Sequence, residues 1–245
     1  MSIILNNIKK EYKTGNEKNL VLKNISFEVL DGEIVTIVGK SGCGKSTLLN
    51  IISGLDDKTS GEIIFDNDKP KISYMFQTDA LLPWKSVLDN AMLGLDLIKD
   101  KDEEKKNKVL SLLKEYGLNT YIYKKPTELS GGQKQRVALI RSLAINPNLL
   151  LLDEPFSALD YYNRMIVSED VRKIIKKGGL KAIIITHDIG EAISLGDKVI
   201  VLSDPPSIVK SIYKTNFKDK EDILNRRNSS SFNDLYQKIW RDLND

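Results

Sequence analysis

The sequence predicts an α/β fold in which a parallel-sheet core carries two additions, an antiparallel β subdomain and an inserted helical subdomain. Three observations lead there. Short apolar strands alternate with helical patterns, a glycine-rich run at residues 39–46 stands where a strand gives way to a helix, and from Ser86 onward apolar residues recur at helical rather than strand spacing. At 245 residues with 41% hydrophobic side chains, the chain is long enough to bury a core and a subdomain.

Taken in order, Ile25, Phe27 and Val29 alternate with polar residues as in a half-buried strand, and residues 34–38 form an unbroken apolar run suited to a strand covered on both faces. Residues 63–65 and 72–76 add two short strands, more β structure than one βα repeat needs, so an antiparallel layer beside the core is the economical reading. Val87, Leu88, Ala91 and Leu95, then Val109, Leu112, Leu113 and Tyr116 before Gly117, recur at helical spacing. The charge run at 99–108 reads as a solvated loop and helix face. Strands at 149–152, 182–185 and 199–202 return the chain to the parallel core, and a polar connection at 214–231 leads to an amphipathic helix with Leu235, Ile239, Trp240 and Leu243. The expected organisation is one unit over 1–245: core with β subdomain at 1–76 and 149–213, helical subdomain at about 77–148, tail and helix at 214–245.

Charge and composition remove several function classes. Lys+Arg at 37 against Asp+Glu at 34 leaves +3 without a dense basic block, so no nucleic-acid partner is expected. A single cysteine, Cys43, excludes an intramolecular disulfide, and the N-terminal residues lack the basic start and apolar stretch of a secretory signal, which points to a reducing cytosol. No apolar stretch approaches the ~20 residues that cross a bilayer. Any membrane contact is expected through a partner.

Chemistry begins at Gly39-Lys40-Ser41-Gly42-Cys43-Gly44-Lys45-Ser46, which fits G-x-x-x-x-G-K-[ST] in a strand–loop–helix context. Glycines let backbone N–H groups turn toward phosphates, Lys45 neutralises β and γ oxygens, the Ser46 hydroxyl reaches Mg²⁺, and Thr47 is a further donor near the α-phosphate. Cys43 reads as a small filler that bound nucleotide would shield from alkylation. Downstream, the apolar run at 149–152 ends in Asp153-Glu154, one carboxylate near Mg²⁺ and the next where a water can be activated. In Leu129-Ser130-Gly131-Gly132-Gln133, Ser130 has the character of an N-cap opening a helix with Val137, Ile140 and Ala144, so a second anion site is expected there. One triphosphate does not need two such sites in one chain unless the second serves a neighbour's nucleotide.

With these motifs in order, the chain resembles the nucleotide-binding subunit of an ABC transporter over residues 2–205. The resemblance implies a RecA-like P-loop NTPase core. It matches Gln77 to the glutamine that senses Mg²⁺ and the attacking water, Ser130, Gly131, Gly132 and Gln133 to the signature, Asp153 to the Mg²⁺-associated aspartate and Glu154 to the catalytic base. Asp160, in Ser157-Ala158-Leu159-Asp160, matches the D-loop, and His187 the switch histidine on the γ-phosphate. Tyr12 falls where the family stacks an aromatic ring on adenine, a role that competes with simple closure of a strand edge. The implied assembly is a homodimer that holds ATP and Mg²⁺ between two head-to-tail subunits, at the cytoplasmic face of the membrane beneath separate permease subunits and, through them, an extracellular solute-binding protein.

Residues 81–90, Leu-Leu-Pro-Trp-Lys-Ser-Val-Leu-Asp-Asn, resemble the corresponding segment of the nitrate, sulfonate and taurine importer branch. Trp84 is there a candidate docking residue for the permease, with burial inside the helical subdomain as the competing reading. Asn163 and Lys58 depart from the family pattern, where threonine and proline are common, and the tail after Pro206 matches the branch loosely. A soluble ABC ATPase acting on nucleic acid or ribosomes is the alternative function, and a P-loop kinase a third that leaves the signature unexplained.

Overall fold

The computed structural model describes residues 2–15, 17–65, 70–100, 102–217 and 222–245. The predicted polar connection at 214–231 includes residues 218–221, which lie outside the described residues. Two sheets organise the chain. The first is antiparallel, in the order β2-β1-β4, from β1 (Ser2–Thr14), β2 (Glu17–Leu30) and β4 (Ser60–Phe65). The second has six strands in the order β5-β6-β7-β3-β8-β9, from β3 (Ile34–Val38), β5 (Ile72–Met75), β6 (Leu149–Asp153), β7 (Lys181–Ile185), β8 (Lys198–Leu202) and β9 (Val209–Lys214).

Strands β3, β6 and β7 are buried along their whole length, which suits unbroken runs of Val, Ile and Leu covered on both faces. One core lies between the two sheets: Leu5, Ile8, Ile25 and Val29 pack with Val35, Ile37, Leu151 and Ile183 and with α1 (Lys45–Ser53). On the opposite face a larger core joins the sheet to α2 (Val87–Leu97), α3 (Glu103–Glu115), α4 (Gly131–Ala144) and α5 (Tyr161–Lys177). A third cluster seats α6 (Ile189–Leu195) and α8 (Ser230–Asn244) around Val199 and Val201, and the short α7 (Ile223–Arg227) precedes α8.

The expected antiparallel layer is present, with a change of membership. Residues 72–75 join the parallel sheet, where Ile72 pairs with Leu149 and Met75 with Leu152, while Phe76 lies past the strand end and is exposed. The layer's missing strand is β1. The predicted tail connection likewise begins after an antiparallel edge strand, β9, paired with β8.

The fold places four neighbouring parallel strands, β5, β6, β7 and β3, side by side with their C-terminal ends together. In an open α/β sheet that edge is where ligands bind.

Candidate active site

A cavity of about 710 Å³ opens at this edge, lined from β3 and α1 by the glycine loop and by Lys45, Ser46 and Thr47. Gly44 caps α1 with φ +93°, and a Cβ there would fall 2.8 Å from Val21 Cγ1, so the turn requires glycine. No side chain caps α1, which leaves its first N–H groups directed out of the helix end as donors for an anion. The Lys45 ammonium donates to the carbonyls of Gly39 and Lys40 at 2.8 and 3.0 Å, which holds it within the loop. Gly39, Lys40 and Cys43 do not line the cavity; the carbonyls of the first two hold Lys45. The Lys40 side chain turns to Asp204 at 3.0 Å, and the buried Cys43 thiol packs behind the loop, where burial pushes its pKa up. Ser207 braces the loop from behind by donating to the Cys43 carbonyl at 2.5 Å.

The opposing wall comes from the ends of β5, β6 and β7. Asp153 ends β6 and is buried. Burial raises its carboxyl pKa, hydrogen bonds from Ser46 and Tyr74 oppose that rise, and neighbouring Glu154 adds to it. The Tyr74 hydroxyl is itself pushed up, first by burial and then by Asp153. Glu154 adopts φ +49°, a left-handed conformation that costs a non-glycine residue about 1–2 kcal/mol, and its N–H donates to the Ile185 carbonyl at 2.9 Å. The carboxylate thereby faces the cavity. Gln77 Nε2 donates to Glu154 Oε2 at 3.4 Å, and His187 Nδ1 lies 3.2 Å from the same oxygen. Gln77 and His187, from two strand ends far apart in sequence, thus meet on one oxygen of Glu154 at a third.

Tyr12, Asn19 and Val21 line the remaining side from β1 and β2. Tyr12 and Asn19 are cross-strand partners, and the Tyr12 hydroxyl donates to Asp56 at 2.6 Å. Tyr74, Asn19 and Asp56 were not anticipated from sequence. The signal available for Tyr74 was a tyrosine inside a short apolar strand; its adjacency to the acidic end of β6 is a pairing across more than 70 residues.

Ser130, Gly131, Gly132, Gln133 and Asp160 do not line this cavity. Ser130 to Gln133 open α4, with Ser130 and Gly131 exposed, and Asp160 opens α5. Ser130 is the N-cap of α4 in a reciprocal capping box: the Gln133 N–H donates to Ser130 Oγ at 3.3 Å and the Ser130 N–H to Gln133 Oε1 at 2.9 Å. Gly132 lies so close to the 157–160 segment that a Cβ would sit 2.7 Å from Leu159 Cδ2. Asp160 caps α5 and accepts from the Asn163 side chain at 2.6 Å, while Asn163 accepts from Arg136 of α4 at 3.1 Å, so the departure at 163 ties the two elements together. Gln135 then connects α4 to the cavity, donating to Ser157 Oγ at 3.3 Å and to the Glu154 carbonyl at 3.5 Å. Trp84 is 69% exposed, which removes the reading of it as a buried residue of the helical subdomain.

Among the described residues no three His, Cys, Asp or Glu side chains are grouped to cage a metal. The Ser46–Asp153 contact instead offers two hard oxygen donors beside a phosphate-binding loop, a set that fits Mg²⁺, which keeps waters and phosphate oxygens as its other ligands.

The chain is similar to known proteins over most of its length. The ABC transporter family profile matches residues 22–157. The chain is 41% identical over 240 residues to the uncharacterized ABC transporter ATP-binding protein YtlC of Bacillus subtilis, covering 95% of this chain and 92% of YtlC. It is 38% identical over 244 residues to the aliphatic sulfonates import ATP-binding protein SsuB of Bacillus cereus, covering 98% and 94%. Among solved structures, the dimeric ABC transporter cassette MJ0796 superposes with a TM-score of 0.79 at 37% identity, over 88% of this chain and 99% of that one. The same cassette in a post-hydrolysis state bound to ADP and Pi gives 0.78 at 36% identity, over the same shares. The chain therefore belongs to the ABC transporter family, of which it is an ATP-binding, ATP-hydrolysing subunit.

Proposed function

We propose that this subunit powers solute import, hydrolysing ATP in a head-to-tail homodimer bound to separate permease subunits at the cytoplasmic face of the membrane. The observation that carries the proposal is the meeting of Gln77, Glu154 and His187 on one side of a cavity whose other side is the Lys45–Ser46 loop. The triphosphate lies along residues 39–47, with backbone N–H groups and the Lys45 ammonium around the β and γ oxygens. Ser46 and Asp153, with Gln77 beside them, would hold Mg²⁺, which neutralises phosphate charge as the bond to the γ-phosphate breaks. Glu154 accepts the proton of the attacking water, Gln77 orients that water, and His187 contacts the γ-phosphate. Tyr12 stacks on adenine.

The signature cluster supports the dimer. Ser130, Gly131, Gly132 and Gln133 present a helix N-terminus that does not line the chain's own cavity, and the 157–160 segment that ends in Asp160 packs against it through Leu159. In a head-to-tail pair that end completes the partner's nucleotide site. Importer function of the sulfonate or nitrate type is supported by the relatives: alongside the sulfonate subunit, a nitrate transport protein of Klebsiella oxytoca, NasD, is 34% identical over 241 residues. An extracellular solute-binding protein is the implied supplier of substrate. No helix among the described residues is long and apolar enough to cross a membrane, so on this reading the permease provides the path.

Glu154→Gln tests the assignment. The variant is expected to bind ATP normally, lose about 10²–10⁴-fold in turnover, and accumulate as an ATP-bound dimer visible by light scattering. Turnover at the wild-type rate would remove Glu154 from the role of base.

A further inference from the structure

Asp56 lies outside every motif in the chain, three residues past the end of α1, and it is wired to the cavity. Gly54, in the left-handed conformation, turns the chain back at the end of α1, and the N–H groups of Leu55 and Asp56 both donate to the Asn50 carbonyl. The Thr59 N–H donates to the Lys9 carbonyl at 2.8 Å and the Glu11 N–H to Thr59 Oγ1 at 2.9 Å, so this turn is stitched along β1. At the join, one carboxylate serves two side chains of β1. Asp56 Oδ1 accepts from Lys10 Nζ at 2.5 Å and Oδ2 accepts from the Tyr12 hydroxyl at 2.6 Å. Lys10 is 7% exposed, donates also to the Asp57 carbonyl at 2.6 Å, and sits 4.5 Å from the centre of the Tyr12 ring.

This arrangement has the form of a clamp. Tyr12 is 40% exposed, and a surface tyrosine of that kind samples rotamers unless something holds its far end. The Asp56 carboxylate holds the hydroxyl. The Lys10 ammonium covers one face of the ring and leaves the other for a base. A base that stacks on a ring already fixed in place loses less conformational freedom than one that must first immobilise it. The same helix, α1, presents Lys45 at its start and carries Asp56 just past its end, so phosphate loop and ring share one rigid support.

We infer that Asp56, with Lys10, is a positioning residue for nucleotide binding, fixing the Tyr12 ring as a one-sided stacking platform for the purine base of ATP. The inference rests on the reading of Tyr12 as the adenine platform. Because the Tyr12 hydroxyl already donates to Asp56, its proton is not available to a base edge. The clamp therefore acts on how tightly a base is held, not on the chemical step.

Calorimetry with two probes, Mg²⁺-ATP and inorganic tripolyphosphate, separates base from phosphate. Wild-type protein is expected to bind ATP more tightly than tripolyphosphate, and Tyr12→Ala to erase that preference. Asp56→Asn, which weakens the grip on Lys10 and Tyr12, is expected to lose about three- to tenfold in ATP affinity with tripolyphosphate unchanged. The KM for ATP should rise by a similar factor while kcat holds. Tyr12→Phe, which keeps the ring and removes only the clamped hydroxyl, should show the same selective loss and guards against a folding defect in the Asp56 variant. If Asp56→Asn and Tyr12→Phe bind ATP like wild type while Tyr12→Ala does not, the clamp is refuted and the platform stands. Equal loss of both probes in Asp56→Asn would make its role structural and overturn the inference. If Tyr12→Ala keeps the full preference for ATP, platform and clamp fall together.

Discussion

Glu191 lies one turn past His187 and is 4% exposed, and its Oε1 has no hydrogen-bond partner among the described residues. Burial, with a smaller contribution from Asp188, pushes its pKa up from 4.5 to about 7, against the opposing influence of Thr186, Arg164 and Arg227. The sign follows from which state holds the proton. Between pH 4.5 and 7 the native chain keeps a proton that the unfolded chain has released, so stability from this group is complete below pH 4.5 and is lost as pH rises toward 7. A gap from 4.5 to about 7 corresponds to about 3 kcal/mol, enough to matter against a total of roughly 5–15 kcal/mol. Glu191→Gln removes the titration. The variant is expected to melt higher than wild type at pH 8 and to show a flatter dependence of melting temperature on pH between 5 and 7. An unchanged pH slope would mean that Glu191 does not hold its proton in the native state. The position matters for function because Asp188 accepts from the Glu191 N–H at 2.9 Å and lies 3.5 Å from Arg164, which ties the residues around His187 to the helix that Asp160 caps.

At the scale of elements, the N-terminal end of α4 was the most legible feature of the sequence. Ser, two glycines and Gln in that order specify a capped helix start with room for close approach, and the capping box and the Gly132–Leu159 contact are what that order produces. The site residues Lys45, Ser46, Asp153 and Glu154 were legible for a similar reason: each sits at a strand end or helix start that apolar runs mark locally. Asp56, Tyr74 and Asn19 were not, because their places depend on pairings between segments far apart, β1 with the turn after α1, β5 with β6, and β1 with β2. Ser130→Arg follows from the geometry of α4. A bulky cation at its N-cap removes the hydroxyl cap and projects from an exposed position. ATP binding to the monomer is expected to stay within about twofold, since the chain's own cavity is untouched, while ATP-dependent dimerisation is lost. Measured by sedimentation with and without ATP, a dimer that forms as in wild type would count against the head-to-tail arrangement. The helix itself should survive, because a lost cap costs only about 0.5–2 kcal/mol.

At the scale of the whole molecule, the sequence showed the α/β alternation and left β1 and β9 unassigned. In β1 the buried residues Ile3, Leu5, Ile8 and Lys10 do not keep a strict period of two, since Asn7 takes φ +50° and the register against β2 shifts between Leu5 and Ile8. In β9 only alternate residues are half-buried, at a sheet edge that the sequence cannot locate. The assembled fold also connects the candidate site to the surface. Two residues past Gln77, Arg141 of α4 grips the Asp79 and Ala80 carbonyls at 2.7 and 2.8 Å. The fully buried Asn90 then accepts from the Leu82 N–H and donates to the carbonyls of Leu82, Lys85 and Ser86. A rigidly braced loop thus holds Trp84 out into solvent, and a large aromatic presented at fixed geometry is the kind of side chain that anchors a protein interface. The segment from Gln77 to Trp84 is thus braced by α4 through Arg141 and by α2 through Asn90. We predict that Trp84→Ala leaves the fold and the basal ATPase of the isolated subunit unchanged, because the ring contributes nothing to the cavity. In proteoliposomes with the cognate permease, the same variant should lose at least about tenfold in permease affinity and most of the permease-stimulated ATPase. Retention of full stimulation by Trp84→Ala would place the permease contact elsewhere on the helical subdomain.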